Sequence, residues 1–110
     1  MNAKISVYDG GKIVKEIVSN DWLYLHHGVV CSKIPDVEVF GYFLLEQGEP
    51  RSPYPYLIEK PKPCSVSLFQ NGELMLTMQA TKHYYYYGCL HFVCDEKEYI
   101  TNLTALVEKT

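Results

Sequence analysis

At 110 residues with 47% apolar side chains, the chain has enough apolar surface for one hydrophobic core and too little length for two domains, and disorder is excluded. No apolar run reaches the roughly 18 residues of a membrane helix. A net charge of −3 opposes the Lys/Arg-led binding of phosphate backbones and suits a basic protein partner instead.

The opening MNAKISVYDGGK lacks the apolar core of a secretory signal, which predicts a cytosolic protein. In that compartment Cys31, Cys64, Cys89 and Cys94 are expected as free, buried thiols. KISVY and KIVKEIV flank Asp9-Gly10-Gly11 and read as a first hairpin. WLYLHH and VVCSKI form a second pair around Gly28, which Pro35 stops.

The stretch 37–45, VEVFGYFLL, reads as one central strand. Alternation puts Val37, Val39, Phe43 and Leu45 on an apolar face. Asp36, Glu38, Phe40, Tyr42, Leu44 and Glu46 fall on the other. Between Asp36 and Glu49 there are four acids and no Lys or Arg. Acids beside aromatic rings suit a basic partner, the rings anchoring and the charges steering.

Residues 46–63 hold five of the six prolines and predict a crossing loop longer than most that lack a function. Tyr54 and Tyr56 within it are candidate contact residues. CSVSLFQ and ELMLTMQAT meet at Asn71-Gly72. A three-residue loop with a glycine bulge, pairing Leu68 with Leu74 and Val66 with Leu76, segregates the core face.

KHYYYYGCLHFVC, residues 82–94, carries four consecutive tyrosines. Read as one strand over 84–94, it sends Tyr84, Tyr86, Leu90, Phe92 and Cys94 inward. Tyr85, Tyr87, Cys89, His91 and Val93 then point away from the core. Tyrosine offers wide contact area at little rotamer cost, so Tyr85, Tyr87 and His91 join the candidate partner-binding residues. The segment 96–108 reads as a strand after a four-residue turn at 95–98, with a helix capped by Asp95 as the competing reading.

Complete catalytic motifs are missing. Cys89 and His91 share a face but Cys89 and Cys94 do not, so no metal site is expected. Cys-His pairs lack a recognisable third group. No cofactor motif is present, and Asn102-Leu103-Thr104 is a glycosylation sequon without meaning in the cytosol.

The sequence therefore predicts a mainly β single domain over 1–110. Its expected form is an antiparallel β-sandwich or half-open barrel of about seven or eight strands. The expected function is non-enzymatic: an intracellular inhibitor of the immunity or antitoxin kind that neutralises a basic toxin such as a nuclease. The expected contact residues are Asp36, Glu38, Phe40, Tyr42, Glu46, Glu49, Tyr54, Tyr56, Tyr85, Tyr87 and His91. The alternative is a small-ligand-binding β domain or small enzyme, with Tyr85, Tyr87, His91 and Trp22 lining a pocket.

Overall fold

The structure, a computed structural model, describes residues 3–19, 23–26, 28–48, 63–86 and 88–109. These residues form twelve strands and no helix. None of their segments is a helix long and apolar enough to cross a membrane. The segment 96–108 is extended, so the helical alternative falls.

Six strands build the main sheet. β1 (Ala3–Asp9) and β2 (Lys12–Ser19) form the first hairpin, β6 (Tyr42–Gln47) pairs with the far side of β1, and β11 (Lys97–Thr101), β10 (Cys89–Cys94) and β9 (Lys82–Tyr86) complete the order β2-β1-β6-β11-β10-β9. All pairings are antiparallel. A second sheet has the order β3 (Leu23–His26), β4 (Val29–Ser32), β5 (Val37–Val39), and a third the order β12 (Thr104–Lys109), β7 (Cys64–Gln70), β8 (Glu73–Ala80).

The main sheet is covered on both faces. On one side Ala3, Ile5, Phe43, Leu45, Cys89 and Ile100 pack with Leu23, Val30 and Val39 of the β3-β4-β5 sheet. On the other, Tyr8, Leu44, Leu90 and Phe92 pack with Cys64, Val66, Leu68 and Ala80 of the third sheet and with Leu103. Burial on both faces explains the near-continuous apolar runs FLL in β6 and CLHFVC in β10, where strict alternation would fail. All six residues of β10 are buried.

Three runs read as single strands are each divided, which accounts for three of the strands beyond the expected seven or eight. The stretch 37–45 breaks at Phe40-Gly41, where Gly41 has φ 110, and its halves join different sheets. The stretch 84–94 reverses between Tyr86 and Cys89, which face each other across a hairpin. The C-terminal stretch leaves the main sheet after Thr101 and pairs with β7 from Thr104 onward.

The turns also correct two registers. Asn71 and Gly72 both have positive φ, 53 and 76, and Gln70 pairs with Glu73. This is the two-residue hairpin whose twist matches the strands. A bulge between Leu68 and Phe69 then sets Leu68 against Leu76 and Val66 against Met78. Leu76 and Met78 stay on the core side, two residues out of the expected register, whereas Leu74, expected opposite Leu68, is exposed. Asp95 and Glu96 likewise have φ 51 and 64 and close a two-residue turn with Cys94 opposite Lys97.

Candidate docking surface

Antiparallel register brings several chain reversals to one end of the main sheet. Tyr8 pairs with Tyr42, Leu44 with Thr101, Thr101 with Leu90 and Leu90 with Tyr85. The ends of β1, β9 and β11 and the starts of β6 and β10 therefore lie together. The β7–β8 turn joins them, since the Gly11 amide donates to Gln70 Oε1 at 2.9 Å.

Asn102 fastens the Phe40–Gly41–Tyr42 corner at this end. Its Nδ2 donates to the Gly41 carbonyl at 2.7 Å, and its Oδ1 accepts from the Phe43 amide at 2.8 Å. Thr101 Oγ1 adds a bond to the Phe43 carbonyl at 2.7 Å and accepts from the Leu103 amide at 3.1 Å. The corner thus holds two large rings out of the core on a fixed backbone. Phe40 is 71% exposed and Tyr42 53%. Asp36, in the turn before β5, and Glu38, at its centre, are exposed as well. Along 36–42 the acids come first and the rings follow.

Glu46 is elsewhere. It lies four residues from Tyr42 along β6, about 13 Å at strand rise, toward the opposite end of the sheet. Its carboxylate accepts from Lys97 Nζ at 3.0 Å and Tyr99 Oη at 3.3 Å, with Lys4 Nζ 3.8 Å away. The Lys97 hydrogen bond, more than the charges of Lys97 and Lys4, holds it below the usual carboxylate range. Its charge is already neutralised within the chain. Glu49, Tyr54, Tyr56, Tyr87 and Trp22 lie outside the described residues.

The tyrosine run is arranged differently from the expectation. Because β9 and β10 are hairpin partners, Tyr84 faces His91 and Tyr85 faces Leu90. The reversal inverts the parity assumed for one continuous strand. Tyr84 and His91 both point inward, their rings stacked at 4.6 Å and 17°, with Tyr86 edge-on to His91 at 6.5 Å. His91 is 5% exposed and so cannot belong to a surface. Tyr85 is 70% exposed, and it projects at the same end as Tyr42.

Burial alone pushes the His91 imidazole down to about 4, and among the described residues neither ring nitrogen has a hydrogen-bond partner. Burial first, and the charge of Glu98 second, push the Tyr84 phenol up to about 12. Both groups are neutral at pH 7.

One Cys-His contact does form, between Cys64 Sγ and His83 Nδ1 at 3.6 Å. Burial raises the thiol and lowers the imidazole, and both shifts favour the neutral pair over the thiolate-imidazolium that nucleophilic catalysis requires. Cys64 is also fully buried. All four cysteines are buried.

Sequence reasoning missed Thr101 and Asn102, whose side chains shape the corner. Their bonds to Gly41 and Phe43 span about 60 residues of chain, and no local sequence pattern marks them. No protein-family model, no curated protein and no solved structure matches the chain.

Proposed function

We propose that this chain is a non-enzymatic protein-binding module that docks on a basic partner through the corner carrying Phe40 and Tyr42. The observation that carries the reading is the pair of large, exposed rings on a hydrogen-bonded corner, preceded by Asp36 and Glu38 in a window free of Lys and Arg. Leaving such rings in water forgoes burial of about 1.5–3 kcal/mol for a Phe-sized side chain. A braced backbone removes part of the ordering cost that association otherwise meets. Exposed carboxylates raise the encounter rate with a positively charged surface.

The finer reading is an intracellular inhibitor of the immunity or antitoxin kind, acting on a basic toxin such as a nuclease. Small size, net negative charge and a neutral Cys64–His83 pair support it. A stoichiometric complex isolated from the native host and dissociated by salt supplies the test. The co-purified protein should be basic, should carry a nuclease or comparable toxic activity, and should lose that activity on adding the chain back. Phe40→Ala and Asp36→Lys should each weaken the complex at least about tenfold, as interface anchors do, with the unfolding temperature unchanged. An acidic partner, or affinity insensitive to salt across the Debye-screening range of about 0.01 to 1 M, overturns the reading.

A further inference from the structure

Beside the Gly41 corner, between the β9–β10 hairpin and the segment running from the end of β11 into β12, lies a half-open pocket of about 440 Å3. Leu90 and Leu103 form its buried floor and Ala105 and Val107 one wall. The Tyr85 ring stands at its mouth above Gly88, where an added Cβ would come within 3.9 Å of the phenol oxygen. Gly88 has φ +76, a conformation that side chains resist, so the turn leaves the space beside the Tyr85 ring unfilled.

The wall chemistry limits what can enter. Among the described residues, no Lys, Arg, Asp, Glu or His lines the pocket. Thr101 and Asn102 on its wall are already engaged: Thr101 Oγ1 with Phe43 and Leu103, and both amide atoms of Asn102 with Gly41 and Phe43. A charged group inside would lose its hydration without gaining a partner, a cost no contact here offsets. Apolar floor, an aromatic wall and one phenol with no hydrogen bond among the described residues suit an uncharged ring. The pocket is half-open, so it holds a side chain tethered to a larger docked surface better than a free small molecule, which binds tightly only where most of its surface is buried. Through Asn102 it is continuous with the Phe40–Tyr42 corner, so a molecule seated on that corner reaches it.

We infer that this pocket is the anchor hole of the docking surface and receives an uncharged aromatic side chain of the partner protein, packed against Tyr85 over Leu90 and Leu103. The inference rests on the docking reading above for the identity of the occupant's source, and on the pocket alone for its chemistry.

The test uses N-acetyl-tryptophanamide as probe and N-acetyl-argininamide as control, titrated into the full chain and followed by methyl chemical shifts. The tryptophan probe should produce saturable shifts at Leu90, Leu103, Ala105 and Val107, and the arginine control none. Ala105→Trp, which fills the pocket from an exposed position on β12, should weaken the probe at least tenfold. Tyr85→Ala, which removes the wall without adding bulk, should do so as well and serves if the first variant folds poorly. Phe40→Ala should leave probe binding unchanged, which separates the two ideas. Equal shifts from the arginine control, no saturation, or undiminished binding in both variants overturns the pocket assignment. A basic partner that binds Ala105→Trp as tightly as the unaltered chain overturns the anchor role and leaves the corner reading standing.

Discussion

At the scale of single residues, His91 is the most consequential side chain that the surface does not use. It is buried without a hydrogen-bond partner among the described residues, which costs about 1–3 kcal/mol for an unsatisfied polar group, offset in part by stacking on Tyr84. Its pKa falls from the ordinary 6.5 to about 4. Between those values the unfolded chain binds a proton and the folded chain does not, so stability is full above pH 6.5, declines as pH falls, and levels off below 4. The shift corresponds to about 3 kcal/mol across the window. His91→Phe removes both the orphaned nitrogens and the titration. Denaturant titrations at pH 7 and pH 4.5 should show the variant at least as stable as the original at neutral pH and with a smaller loss on acidification. An unchanged pH slope would mean that another group carries it. Glu46 makes the opposite case: its carboxylate is held by Lys97 at the far end from Phe40. Glu46→Gln should cost no more than about 1 kcal/mol, as partly exposed ion pairs do, and should leave partner affinity untouched.

At the scale of elements, reversals decide what the surface becomes. Alternation in sequence made Phe43 and Leu45 core and left Tyr42 exposed, as the structure has them, because side chains on a strand alternate; it also put Leu44 outside the core, where the second covered face of β6 buries it. It failed at Tyr84 to His91, where a two-residue reversal after Tyr86 inverts parity; Gly88 was visible as a turn residue, but four consecutive β-favouring tyrosines outweighed it. The bracing of the Gly41 corner by Asn102 was not legible at all, since side-chain bonds across 59 and 61 residues leave no local pattern. Two predictions belong here. Asn102→Ala removes both bonds and should destabilise the fold by about 2 kcal/mol, within the range for lost bonds to partly buried backbone. It should also weaken partner binding by more than that loss of stability explains, because Phe40 and Tyr42 are then no longer preset; equal binding would show that the corner needs no brace. Glu96→Gly acts on the turn whose two central residues both have positive φ. Relief of a side chain in the left-handed region should raise stability by about 0.5–1 kcal/mol, readable as a higher denaturation midpoint at constant slope.

At the scale of the whole molecule, β6 joins the two cores. Phe43 and Leu45 pack into the cluster under the β3-β4-β5 sheet, while Leu44 between them packs into the cluster under the third sheet; β10 does the same with Cys89 on one side and Leu90 and Phe92 on the other. The sequence displayed this only as apolar runs, which a buried strand and a helix share. Neither three-stranded sheet has a buried face without the central one, and sheets of that size need such a face to be stable. Coupling between the outer layers follows. Leu68→Ala, at a fully buried position of β7, should cost about 3 kcal/mol through lost burial and the cavity left behind. Native-state hydrogen exchange should then report a loss of similar size at the slowest amides of β4, on the far side of the molecule, because they open only with the global transition. Were β4 amides to keep their protection while those of β7 lost it, the layers would be unfolding separately, and the corner at Gly41, where the chain passes from β5 in one layer to β6 in another, would be a hinge between them rather than a rigid mount for Phe40 and Tyr42.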